Sequence, residues 1–178
     1  VDDLYLYDFG TGEARRLTDV PGLEEEASFS PDGETVAFVR GNDLYVVRVK
    51  KPRERAITKD GNERTLNGRL DWVYQEEIYG RGNFRGYWWS PDSTRLAFLR
   101  LDERSVPRFT RIDRIPYHPI PETGPYPKAG DANPVVRLGI AAASNGKSQW
   151  VDLSAYVGSE ILVVKVGWSA DSRSLVYQ

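Results

Sequence analysis

The sequence has no cysteine and no methionine, and His118 is its only histidine. Without cysteine there can be no disulfide framework, no thiolate metal site and no cysteine nucleophile, and the redox compartment stays open. His118 lies between Pro116 and Pro119. A single imidazole without cysteine or carboxylate partners at ligand spacing makes a poor metal site, so no metal or other cofactor is expected. Long apolar runs are also missing. None approaches the roughly 18 residues of a membrane span, and the opening VDDLYLYD has no basic n-region, apolar h-region or initiator methionine. The chain is therefore expected to be a piece of a longer protein, with no membrane span of its own. Neither charge sign dominates, since 24 Lys and Arg face 26 Asp and Glu for a net charge of −2. That leaves no basic field for nucleic acid, and polynucleotide partners are not expected.

What the sequence does have is enough apolar content for a packed core, 40% hydrophobic and 12% aromatic in 178 residues. It also repeats itself. ASFSPDGETVAFVR (27–40), GYWWSPDSTRLAFLR (86–100) and KVGWSADSRSLVYQ (165–178) align as apolar strand, S-P/A-D-G/S turn and alternating strand. Pro31 and Pro91 preset φ at a turn position, Asp32, Asp92 and Asp171 can hydrogen-bond their own backbone, and Gly33 tolerates positive φ. Each copy reads as a tight hairpin. NDLYVVRV and RERAIT follow the first copy as two more period-2 strands. Four strands in roughly 40 to 50 residues match one β-propeller blade. DDLYLYDFGTGEARRLT reads as the last two strands of a preceding blade, and the third hairpin as the start of a following one. The predicted fold class is all-β, a partial β-propeller of about three blades whose first and last are incomplete.

The hairpins are spaced too widely for plain blades. Sixty residues separate Ser30 from Ser90, and seventy-nine separate Ser90 from Ser169. The excess falls in two insertions, at 59–86 and in the Pro- and Gly-rich 103–133, which includes IPYHPIPETGPYPKAG. Insertions in repeat architectures fall on loops of one face, often the binding face. The first carries DWVYQEEIYG, in which Glu76 and Glu77 lie side by side among aromatics. On spacing alone such a pair is a solvated surface.

LDWVYQEEIYG, then WWSPDSTRLAFLRLDE, then YPKAGDANPVV, in that order, resemble the N-terminal β-propeller of the dipeptidyl peptidase IV family, serine peptidases of the prolyl oligopeptidase clan. The likeness runs over essentially all of 1–178 and is strongest at 70–101 and 125–138. It implies a substrate-gating propeller over an α/β-hydrolase catalytic domain, here absent and expected downstream of Gln178. The enzyme it implies removes N-terminal dipeptides with Pro or Ala second. A periplasmic, secreted or membrane-anchored extracytoplasmic setting goes with it. By the resemblance, Glu76 and Glu77, on a short helical insertion, bind the substrate's α-ammonium. The chemistry is apt: an ammonium offers three donors, and two neighbouring carboxylates can accept two of them through charge-assisted bonds. Holding the terminus also measures which bond reaches the nucleophile. A family arginine for the substrate carbonyl belongs to a segment before the point matching Val1. The partners implied are a peptide N-terminus and the catalytic domain, and unpaired blade edges imply a homo-oligomer.

Other residues read more plainly. Arg81 and Arg85 are expected to pair with nearby acids, and Trp88 and Trp89 to pack between blades. The roles of Tyr74, Gln75 and Tyr79 are open. GWSAD at 167–171 begins like a G-x-S-x-G nucleophile elbow, but Asp171 occupies the last position and the segment aligns with the blade hairpins, so Ser169 is a turn residue. The chain holds no catalytic residue and should be inactive alone. A tripeptidyl specificity stays open, as does a non-catalytic TolB-like or WD40-like interaction propeller.

Overall fold

The computed structural model describes residues 3–156 and 158–178. The described residues form five antiparallel sheets. β1 (Tyr5–Asp8) and β2 (Glu13–Arg16) form a two-stranded sheet, and β3 (Glu24–Phe29), β4 (Thr35–Arg40), β5 (Asp43–Arg48) and β6 (Glu54–Ala56) form a sheet in sequential order. The next sheet contains β7 (Thr65–Asn67), β8 (Tyr87–Trp89), β9 (Arg95–Asp102), β12 (Val135–Ala142) and β13 (Ser148–Trp150). β10 (Arg108–Asp113) and β11 (Ile120–Pro125) make a separate hairpin, and β14 (Val166–Trp168) pairs with β15 (Leu175–Tyr177). This is a partial β-propeller: two full blades flanked by two half blades.

The strands alternate, yet both of their faces are apolar, because a blade is covered on each side by its neighbours. Val36 and Phe38 of β4 pack with Leu17 and Val47, while Ala37 and Val39 on the opposite face pack with Leu44, Tyr87, Leu96 and Phe98. In β9, Leu96 and Phe98 face back toward that layer, and Ala97, Leu99 and Leu101 face forward to Val136, Leu138, Val163 and Val166. Phe98 is fully buried, worth about 2 to 3 kcal/mol of hydrophobic burial. Trp88 and Trp89 are half-buried and pack against these layers; Trp168 of the last hairpin donates its indole N–H to the Trp88 carbonyl at 3.1 Å.

The three S-P/A-D turns form as their chemistry dictates. Ser30, Ser90 and Ser169 each donate Oγ–H to the aspartate two residues on, at 2.6 Å. The fourth position has a left-handed backbone, φ 71° at Gly33, 62° at Ser93 and 60° at Ser172, which favours glycine. Two of the three are nonetheless serine. Their hydroxyls accept an N–H from the turn one blade earlier, Asp32 to Ser93 and Asp92 to Ser172, both at 3.0 Å. The turns thereby lock adjacent blades together.

Both insertions lie within the blade built on β9 and carry structure of their own. The first interrupts a strand: β7 pairs with the far half of β9 (Thr65 with Asp102) and β8 with the near half (Tyr87 with Phe98), on the same edge. The inner strand of this blade is split, and residues 68–86 leave and return at one point. Gly68 and Gly86 form the neck. Gly86 N–H donates to the Gly68 carbonyl, Gly68 N–H to the Leu99 carbonyl, and Leu99 N–H to the Gly86 carbonyl, each at 2.9 Å. A Cβ on Gly86 would meet Leu70 Cδ2 at 3.0 Å and the Gly68 carbonyl carbon at 3.2 Å, so the close approach requires glycine. The second insertion is the β10–β11 hairpin, with six residue pairs from Arg108/Pro125 to Asp113/Ile120. Pro116 and Pro119 lie in its connection and Pro125 ends β11, while Pro121 stands opposite Ile112 on this two-stranded sheet, where every strand is an edge that tolerates proline.

Candidate functional site

Residues 69–85 form a folded excursion. Leu70 and Tyr74 anchor it in the layer facing the last hairpin. Asp71 opens its helical turn, accepting the Tyr74 N–H on its carboxylate and the Gln75 N–H on its carbonyl, both at 3.0 Å. Tyr74–Ile78 then makes one π-helical turn, with Tyr79 N–H donating to the Tyr74 carbonyl at 2.8 Å; such single wide turns are frequent at functional sites. Two phenols fix it to the segment before β14. Val163 donates its N–H to Tyr74 Oη, and Tyr79 Oη donates to the Val163 carbonyl, both at 3.1 Å. Burial raises both phenol pKa values, that of Tyr79 to about 12. The two open tyrosines are structural clamps.

Glu76 and Glu77 occupy the middle of this turn. Glu76 is half-buried and ion-paired with Arg81, whose side chain is 83% exposed. Glu77 is exposed and borders a cleft of about 430 Å³ shared with Trp72, Lys128, Asp131 and Glu160. Glu77 is also close enough to add to the field that holds Arg81 protonated. Gln75 closes the Gly80–Arg81–Gly82 turn over the helix, because its buried side-chain Oε1 accepts the Gly82 N–H at 2.8 Å. The far wall of the cleft is the YPKAGD loop. Tyr126 packs its ring on Trp72, centroids 4.3 Å apart, and Lys128 N–H donates to Asp131 Oδ2 at 2.9 Å. The two segments that carry the family resemblance thus touch.

Sequence reasoning missed two buried acids, Asp71 at the start of the excursion and Glu103 after β9. Burial raises the Asp71 pKa; burial and then the Asp71 charge raise that of Glu103 to about 7. Neither stands at a spacing that singles it out. Arg85 lies where it offsets the burial of Glu26, and Arg69 pairs with Glu25 at 2.6 Å. Ser169 is in its hairpin turn. His118 lies in the β10–β11 connection against Tyr117, far in sequence from any strand of the blades.

The family model for the N-terminal region of dipeptidyl peptidase IV matches residues 1–178. The chain belongs to the dipeptidyl peptidase IV family. This family segment is 36% identical over 97% of its length to the "Probable dipeptidyl peptidase 4" of Emericella nidulans, and 37% identical over 97% to the "Probable dipeptidyl-aminopeptidase B" of Talaromyces stipitatus. The crystal structure of Porphyromonas gingivalis dipeptidyl peptidase 4 superposes on 98% of it, with a TM-score of 0.85 and 30% identity. The segment spans about a quarter of each relative, 23%, 21% and 24% of their lengths. For a dipeptidyl peptidase IV segment, the excursion from the split strand is the feature that plain blade geometry does not require.

Proposed function

We propose that this segment is the substrate-recognition and gating propeller of a serine dipeptidyl peptidase that removes X-Pro or X-Ala dipeptides, with Glu76 and Glu77 binding the substrate α-ammonium. One observation carries the reading: on a rigidly anchored turn, Glu76 already holds a cation, the Arg81 guanidinium, and the adjacent Glu77 adds to the negative field at it. An ammonium meets the same electrostatics. Tyr74, Tyr79 and the Gly68–Gly86 neck support it by fixing the turn, because a clamp that measures chain length must not move. The chemistry belongs to an α/β-hydrolase domain in the same protein, and the setting we propose is extracytoplasmic.

N-acetylation of the peptide deletes the cation. The complete protein should lose most of its activity on an acetylated Ala-Pro amide relative to the free amine. Glu76→Gln and Glu77→Gln should each lower kcat/KM by roughly 10- to 100-fold, since hydrogen bonds to charged groups are worth about 1.5 to 3 kcal/mol. Equal cleavage of both peptides by the unmodified protein would rule the clamp out. A second reading, a non-catalytic interaction propeller, is favoured by the β10–β11 hairpin, on which Ile112, Ile115, Tyr117 and Ile120 are exposed. Reading the gene beyond residue 178 for a G-W-S-x-G-G elbow, then Asp and His, decides between them.

A further inference from the structure

We propose that Arg81 is a tethered counter-ion that occupies the carboxylate clamp in the resting state and must yield to the substrate's ammonium. This rests on the clamp reading above. Three features of the turn carry it. Arg81 pairs with Glu76, and Glu77 adds to the attraction. The Glu76 side chain it pairs with is largely sheltered, 18% exposed, whereas the Arg81 side chain is 83% exposed. The arginine therefore reaches in from solvent and can leave without disturbing packing. Gly80 and Gly82 flank it at φ 103° and 83°, each with open space where a Cβ would stand. The turn is held at its base by Gln75 and is free around Arg81.

The consequence is a competition. Two like charges side by side repel, and a cation relieves that repulsion. With Arg81 present the resting clamp is already relieved, so a substrate gains only the difference between its ammonium and the guanidinium. Arg81 thus lowers affinity for every free-amine substrate and leaves peptides without an amine unaffected. A planar guanidinium binds carboxylate through a fork, while an ammonium binds as a compact point charge with three donors. The compact cation can satisfy both carboxylates at once, which lets it win the exchange.

The test uses the complete protein with Arg81→Ala and Arg81→Lys, reading KM for an Ala-Pro chromogenic amide and inhibition constants for Ala-Pro and N-acetyl-Ala-Pro. Exposed ion pairs are weak, so Arg81→Ala should lower the KM and the Ala-Pro inhibition constant by about 1.5- to 5-fold, with the change falling on KM rather than kcat. Arg81→Lys should restore the higher values, and the acetylated dipeptide should bind all three forms equally. An unchanged or raised KM in Arg81→Ala overturns the counter-ion role and leaves the clamp standing. So does an equal gain for the acetylated dipeptide. If the unmodified protein makes no distinction between free and acetylated dipeptide, the clamp itself fails, and the counter-ion role with it.

Discussion

Glu103 and Asp71 are buried acids that feel each other's charge, and the cost of charging them there sets a pH dependence. The folded-state pKa of Glu103 is raised from 4.5 to about 7, and that of Asp71 is raised as well. A carboxyl whose pKa is higher in the folded state binds its proton more tightly there. Its stabilising contribution is full below about pH 4.5 and is lost as pH rises through about 7. Glu103→Gln keeps the shape and removes the titration. Relative to the unmodified chain, this variant should gain about 1 to 2 kcal/mol of stability between pH 5 and pH 8, after part of the shift is screened by water. Denaturant melts at both pH values check this, and parallel curves for the two proteins would show that Glu103 is not charged against its surroundings. Arg81 is the other residue whose role lies in its partner. Paired with an ordinary surface acid it would be incidental, but its acid is one of the two proposed clamp carboxylates.

At the level of elements, the interblade serines separate two effects that usually travel together. Ser172 is buried and has φ 60°, and its hydroxyl accepts the Asp92 N–H at 3.0 Å. Ser172→Ala leaves a donor unpaired and keeps the unfavourable backbone, so a loss of about 1 to 2 kcal/mol is expected. Ser172→Gly loses the same bond but relieves the left-handed backbone, recovering about 1 kcal/mol. Glycine should therefore be the milder substitution although it is the smaller residue. An alanine variant that melts at or above the glycine variant would mean that packing, not backbone geometry, governs the turn. The split strand works on the same principle of local exception: β9 is long enough to pair with β7 and β8 in sequence, so the blade keeps its ladder while 68–86 is free to carry a different structure.

Across the whole fold, stability comes from blade faces stacked on each other, and the outermost sheets have fewer neighbours. β1–β2 and β14–β15 are two-stranded, with Tyr5, Tyr7, Phe9, Val176 and Tyr177 exposed. Two-stranded sheets with open edges are marginal in water and invite further strands. The isolated 178-residue segment should self-associate with rising concentration in sedimentation velocity, or melt at low temperature with fraying of residues 5–16 and 166–177 in hydrogen exchange. A concentration-independent monomer with one sharp, high transition would contradict this.

The blade hairpins were legible along the chain because the S-P-D turn is short-range chemistry: serine to aspartate two residues on, and a left-handed fourth position, are local facts. Period-2 alternation likewise marked out β3 to β6, and the placing of Glu76 and Glu77 on an insertion followed from hairpin spacing. Whatever depends on distant partners was decided by the packed fold. That Thr65–Asn67 and Tyr87–Trp89 belong to one strand position is settled only by β9, which pairs with both. Tyr74 and Tyr79 became clamps because Val163 is carried to them by the next blade. Ser93 and Ser172 stand where the local turn favours glycine, and the reason for serine lies in turns 61 and 80 residues away that their hydroxyls bind. Spacing along the chain is blind to such contacts, since a propeller joins residues through the stacking of whole sheets, and the energy of each contact appears only when both blades are in place.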